Sequence, residues 1–146
     1  MCDHYGKDVG DMLIRNCAGG VVFSEDKVLL LKNEKAEWVL PKGVIRPGAV
    51  AQDTALQRVE LEAGVQAEII DTAGQTSYEF FSVSRQRPVC NRITWYLMKA
   101  ERIGTTINTE EGFSDGGFYP LEEALEMITY SQDKSLVALA HRKLTP

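Results

Sequence analysis

The hydrophobic positions fall into short blocks separated by polar punctuation. Cys17–Phe23 reads as a strand, Ser24–Lys27 as a turn and Val28–Lys32 as the returning strand. Gly19 and Gly20, inside the first of these, predict a close backbone approach or a bulge. Residues 1–12 read as a tail or lead-in, and whether Met12-Leu13-Ile14 already pair is left open. A polar loop, Asn33–Ala36, leads into a strand at Trp38–Leu40, then Pro41-Lys42-Gly43 and a loop holding Pro47-Gly48. A helix is predicted over Ala51–Glu62. Ala51, Ala55 and Val59 recur at i, i+4 and i+8, Leu56 widens that face, and the small side chains suit close packing on a sheet. Val50 is a poor N-cap, whereas Gly64 is a good C-terminal stop.

Downstream, Ala67–Ile70 is a short strand candidate, and Gln75–Val83 is β-prone and rich in aromatics. Ser84–Asn91 reads as a hairpin loop and Arg92–Ala100 as its second strand, partly alternating. Ile107–Tyr119 is a loop that ends in a short strand at Gly117–Tyr119. Pro120–Ile128 is a helix with Pro at its first position and acids in its first turn. Ser131–Lys143 is the final helix, with Leu136, Val137, Leu139 and Ala140 as its apolar side. The set predicts an α/β (α+β) single domain over residues 1–146, a curved mixed sheet flanked by helices.

Composition narrows the class. The 146 residues fit one core, and 44% apolar with 25% charged residues is ordinary for a globular chain. No apolar run approaches the ~20 residues of a membrane span. The polar start, MCDHYGKDVGD, lacks an apolar signal core, and the expected location is cytoplasmic. Cys2, Cys17 and Cys90 have no metal-site spacing and read as reduced thiols, Cys17 as a buried one. A net charge of −5 argues against long nucleic acids and leaves room for a small nucleotide in a local basic pocket.

The chemistry gathers in residues 37–65, EWVLPKGVIRPGAVAQDTALQRVELEAGV. Strand, glycine-rich loop, helix and glycine stop place loop amides and a helix face beside a charged ligand. One helix face carries Arg58, Leu61 and Glu62 at i, i+3 and i+4. Two readings of Arg58 stand side by side: a pair with Glu62 one turn on, or a bidentate grip on a ligand phosphate.

This stretch resembles the signature of the Nudix superfamily, hydrolases of nucleoside diphosphates linked to another group. The family pattern is Gly, five residues, Glu, seven residues, Arg-Glu, apolar, any, Glu-Glu, any, Gly, apolar. It lies on residues 43–65 without a gap. Gly43, Val59, Glu62, Gly64 and Val65 match; Ala49, Gln57-Arg58 and Leu61 depart. The resemblance implies the Nudix fold, a curved mixed β-sheet between α-helices, over roughly residues 15–144. It also implies pyrophosphohydrolase chemistry on Mg²⁺ or Mn²⁺ held by three glutamates of the helix face. Two of those three are missing here, which points to hydrolysis that is weak or lost and a cofactor that is Mg²⁺, Mn²⁺ or none. Arg58 opposes a divalent ion about as strongly as Glu62 attracts it, roughly 4 kcal/mol per unit-charge interaction at about 4 Å in an effective dielectric near 20.

Leu40-Pro41-Lys42-Gly43 and the tail MITYSQDKSLVALAHRKL resemble the diadenosine tetraphosphate hydrolase branch, in which Lys42 would face phosphate; otherwise it is a solvated loop lysine. Lys42, Gly43, Arg46 and Arg58 are therefore the ligand- and phosphate-binding candidates. Glu62 and Glu111 are the catalytic candidates, and Glu62, Glu110 and Glu111 the metal candidates, because many family members take a further glutamate from the loop before the last strand. Asp115 is a weaker candidate there, and Glu60 points away from the Glu62 face. Tyr78, Phe80, Trp95, Tyr96 and Phe113 are base-stacking or core aromatics. Arg85, Arg87 and Arg92 reach phosphate or solvate their loop, and His4 and His141 receive no role. Three readings follow: a nucleotide-binding protein with little or no hydrolysis, an active enzyme using Glu62 with Glu110 or Glu111, and a non-catalytic interaction protein exposing Leu61. The expected partner is a small nucleotide, with no long nucleic acid and no membrane, in a monomer or homodimer.

Overall fold

A computed structural model describes residues 7–9 and 11–144. The early residues Cys2 and His4 lie outside them. Among the described residues eight strands form one mixed sheet. They are β1 (Lys7–Val9), β2 (Met12–Ser24), β3 (Lys27–Lys32), β4 (Trp38–Val39), β5 (Lys42–Val44), β6 (Glu68–Ser82), β7 (Arg87–Lys99) and β8 (Asp115–Pro120). The helices are α1 (Ala51–Ala63), α2 (Leu121–Met127) and α3 (Ser131–Leu144).

The spine is β2. One of its sides runs parallel to β7 from Leu13↔Val89 to Phe23↔Lys99. On its other side three short strands follow one another: β1, then β5 at Cys17–Gly19, then β3 at Phe23–Ser24. Strand alternation then divides the core between two faces. Cys17, Val21, Phe23, Leu30, Trp95 and Leu97 point towards α2 and α3, where Ala124, Ile128, Leu136, Val137 and Ala140 close the layer. Ala18, Val22, Leu29, Leu31, Tyr96 and Met98 point towards α1, meeting Ala55, Val59 and Ala63. The small-residue face read from the sequence is thus the buried face of α1. Its start has no side-chain cap, because Val50 offers none, and it ends at Gly64 with φ 68° and a Gly64 N–H to Glu60 O bond.

The expectation of close approach at Gly19 holds. A Cβ there would lie 2.4 Å from the Pro41 carbonyl oxygen and 2.5 Å from the Trp95 ring. Nothing larger than hydrogen lets Pro41-Lys42-Gly43 settle across β2.

Four boundaries differ from the sequence reading. Ala67–Ile70 and Gln75–Val83 belong to one continuous strand, β6, interrupted only by irregularities at Ile69/Asp71 and Thr72/Gly74. The hairpin loop is shorter than Ser84–Asn91, since β7 begins at Arg87; Pro88 is tolerated there because β2 does not start pairing until Val89. Lys42-Gly43-Val44 is a strand, imposed by pairing with β2 rather than by residue propensity. Lys7–Val9 also pairs, so part of the lead-in joins the sheet. Strand β6 is an edge, and α3 covers some of its free carbonyls: Gln132 Nε2 donates to Ser77 O at 3.0 Å and Lys143 Nζ to Thr72 O at 2.6 Å. None of the described helices is long and apolar enough to cross a membrane. Cys17 and Cys90 are buried.

Replacing Gly19 by alanine should lower stability by about 1–3 kcal/mol, because the new methyl meets a backbone oxygen and a buried indole rather than a flexible side chain. Urea unfolding reads this as a lower midpoint at unchanged slope. An unchanged midpoint would mean that Pro41 and Trp95 retreat freely.

Candidate functional site

The helix face read from the sequence builds the centre of the site. Arg58 and Glu62 lie one turn apart on α1, and Arg58 donates to Glu62 Oε2 from Nε at 2.9 Å and from Nη2 at 2.6 Å. The same Nη2 donates to Glu111 Oε1 at 2.9 Å, so one guanidinium joins two carboxylates. Strand β5 makes room for it. A Cβ on Gly43 would lie 2.5 Å from Arg58 Cδ and 2.8 Å from Cγ, so Gly43 is the slot in which the arginine stem lies.

The loop before β8 is tied to the end of α1. Thr106 N donates to Ala63 O at 2.8 Å and Asn108 N to Glu62 O at 3.0 Å, while Asn108 Nδ2 donates to Leu61 O at 3.0 Å. These bonds satisfy carbonyls that the helix itself leaves without partners. Asn108 Oδ1 in turn accepts from the backbone N–H groups of Glu110 and Glu111 at 3.0 and 3.3 Å, capping a single 3₁₀ turn, Thr109–Glu111. That turn brings Glu111 back over Arg58.

Glu62 is only 2% exposed, and its Oε1 is buried with no hydrogen-bond partner among the described residues. Burial pushes its carboxyl up to about 7; Arg58 and Lys42 pull it down without cancelling that effect, and Glu111 adds to it. Burial also opposes the charge on Arg58, but Glu62 and Glu111 outweigh it and raise the guanidinium pKa. The two partners respond differently because Glu62 is the deeper one, at 2% side-chain exposure against 27%.

Beside this pair lies a cleft of about 680 Å³. Lys42, Glu62 and Glu111 line one part of it, and Tyr78, Phe80, Phe81 and Tyr130 another. Tyr78 stacks on Phe80 with centroids 5.8 Å apart and on Tyr130 at 6.4 Å. Lys42 Nζ stands 5.9 Å from the centre of the Tyr78 ring. The Tyr130 hydroxyl donates to Glu37 Oε2 at 2.6 Å, and that bond leads the causes that push the phenol up to about 12. Bonds from Asn33 and Tyr130 hold Glu37 below its ordinary value. Burial raises Asp133, against the pull of Lys42.

Not every candidate is part of this cluster. Arg46 is exposed in the loop after β5, outside the cleft lining, and makes no ion pair among the described residues. The acid next to Glu111, Glu110, is also exposed and outside the lining; its backbone serves the turn. Trp95 and Tyr96 are buried. Trp95 Nε1 donates to Thr76 Oγ1 at 2.8 Å, so its edge lines the cleft while its ring serves the core. Leu61 is 44% exposed. Sequence reasoning missed Asn108, Tyr130, Glu37 and Asp133. Asn108 had a local signal, a capping residue directly before Thr-Glu-Glu; the other three meet only through the fold. A larger pocket of about 1250 Å³, lined in part by Asp26, Lys99, Arg102 and His141, contains none of the candidate residues.

The side chains present do not fit a resident divalent ion. A hard cation such as Mg²⁺ asks for several converging oxygens. Here Glu62 Oε2 and Glu111 Oε1 are taken by a guanidinium that cannot deprotonate. Among the described residues no group of three or more His, Cys, Asp or Glu side chains is placed to share a metal.

The raised carboxyl of Glu62 sets a pH dependence. Between its ordinary 4.5 and about 7 the folded chain keeps a proton that the unfolded chain has released. Stability is therefore greatest below about pH 4.5 as far as this group is concerned, and falls as pH rises towards 7. The contribution is on the order of 3 kcal/mol. Glu62→Gln should flatten this slope in denaturant unfolding at pH 5 and pH 8; the same slope in parent and variant would locate the titration elsewhere.

Comparison with known proteins agrees with this architecture. The NUDIX domain model matches residues 13–140. The "putative mutator protein MutT4" of Mycobacterium tuberculosis is 28% identical over 104 residues, covering 70% of this chain; this chain spans only 40% of that protein. The asymmetrical bis(5'-nucleosyl)-tetraphosphatase of Mus musculus is 23% identical over 145 residues, covering 91% of this chain and 97% of that protein. The Nudix domain of Shewanella oneidensis NrtR, solved with ADP-ribose, superposes with a TM-score of 0.71 at 20% identity, covering 89% of this chain and 88% of that one. With a mixed sheet held between α1 on one face and α2 and α3 on the other, and a family model matched along most of its length, the chain belongs to the Nudix family.

Proposed function

We propose that this chain binds a nucleoside polyphosphate in the cleft beside α1, and that it hydrolyses the anhydride slowly or not at all. The observation that carries this reading is the guanidinium of Arg58, bonded at once to Glu62 and Glu111 on the helix face that in the family pattern carries glutamates. The ligand class is supported by the cleft and by the relatives' names. Phe80, Tyr78 and Tyr130 offer aromatic faces to a base, and Lys42 offers a cation to the phosphates within the same cavity. The mouse relative is named for a dinucleoside tetraphosphate, and the Shewanella domain was solved with ADP-ribose, a nucleoside diphosphate joined to another group. Arg46 contributes positive charge at longer range.

A second reading, hydrolysis at Glu62 assisted by Glu110 or Glu111, is favoured by the free Oε1 of Glu62 and its carboxyl near 7. A base whose pKa lies near the working pH is suited to take a proton from water. In that reading product release requires Mg²⁺ or Mn²⁺, and Glu62→Gln abolishes it.

Titration with a fluorescent dinucleoside polyphosphate, with chelator and with Mg²⁺, tests the binding. Binding should persist in chelator and weaken about tenfold in Tyr78→Ala, the size expected for one lost base–aromatic stack. Lys42→Ala should weaken it by a similar factor. Unchanged affinity in both variants would remove the cleft as the binding site. Release of nucleotide from the parent chain that needs Mg²⁺ and fails in Glu62→Gln would instead establish the second reading.

A further inference from the structure

The arrangement around Arg58 holds a cation already, and it is part of the chain. Nη2 lies 2.6 Å from Glu62 Oε2 and 2.9 Å from Glu111 Oε1, so two carboxylates from different elements converge on one positive nitrogen. Glu62 keeps a further oxygen, Oε1, buried and without a partner. A buried carboxylate oxygen with no donor has unused capacity for one. Glu111 is not held there by Arg58 alone. Asn108 fixes its backbone to the end of α1 through Leu61 O and Glu62 O. The backbone that carries Glu111 would therefore stay beside Glu62 with Arg58 shortened.

We propose that Glu62 and Glu111 form a latent divalent-cation site which the tethered guanidinium of Arg58 fills, so that Arg58 and a metal ion exclude each other. The class of ion is a hard divalent cation, Mg²⁺ or Mn²⁺, completing its shell with water. Exclusion follows from tethering. A group attached to the same helix acts at an effective concentration of about millimolar or more. A site of only two carboxylates offers such an ion few ligands and holds it weakly. The stem of Arg58, seated in the Gly43 slot, holds the guanidinium in place. Lys42 reinforces the effect, since its charge also acts on Glu62. This inference needs no nucleotide, so it stands or falls separately from the binding reading above.

Mn²⁺ titration followed by electron paramagnetic resonance, without nucleotide, tests it on the parent chain, Arg58→Ala and Arg58→Gln. The glutamine keeps an amide donor and much of the volume over Glu62, which supplies a folded variant where alanine leaves Glu62 too poorly matched. One Mn²⁺ per chain should bind to the variants about tenfold or more tightly than to the parent chain, and Glu111→Gln added to either variant should remove that gain. Three outcomes would overturn the proposal: Mn²⁺ binding to the parent chain as tight as to the variants, no gain in either variant, or a gain that survives Glu111→Gln.

Discussion

A carboxylate leaves water only with a cation, a proton or a set of donors to meet it, and Glu62 is almost completely out of water. It receives one strong donor group, the guanidinium of Arg58, on one oxygen and none on the other. Much of the surrounding construction serves that one pairing. Gly43 is bare so that the arginine stem can lie across β5. Asn108 and Thr106 tie the following loop to the carbonyls at the end of α1, which seals the carboxylate and carries Glu111 to the outer side of the same guanidinium. Fold and site therefore share bonds.

The layers of the fold were legible because they depend on local chemistry. Ala51, Ala55 and Val59 repeat at helical spacing and Gly64 stops the helix, which marks where α1 lies and the side it buries. Gly19 marked a backbone crossing for the same reason: only a missing side chain makes such contact possible. What escaped was pairing imposed from a distance. Lys42-Gly43-Val44 has little intrinsic preference for a strand and becomes one because β2 offers it a partner. The irregular stretch Asp71–Gly74, between the two strand segments read from the sequence, is mostly exposed and is extended beside β7.

The site divides in the same way. The Arg58–Glu62 pair is an i, i+4 contact and could be read from spacing. That Glu111 rather than Glu110 completes it depends on the 3₁₀ turn capped by Asn108, whose local signal marks the turn but not which of the two glutamates faces Arg58. Tyr130 was invisible for a different reason. It sits just ahead of the last helix, 93 residues from the Glu37 it contacts, and nothing about a lone tyrosine before a helix announces a stacking wall. Arg46, three residues after Gly43 in sequence, lies outside the lining of the cleft.

The parallel pairing of β2 with β7 has a consequence for how the chain is assembled in time. The β6–β7 hairpin closes over a four-residue turn and can zip locally, whereas Arg15 must find Asn91 across 76 residues of chain. Strand β5, with Lys42 and Gly43, has no partner until β2 is in place, and the loop carrying Glu111 has none until α1 is docked. Closing long loops costs entropy that is recovered only by late contacts. The cleft thus depends on contacts between residues far apart in the chain, which the local β6–β7 hairpin and α1 do not supply by themselves.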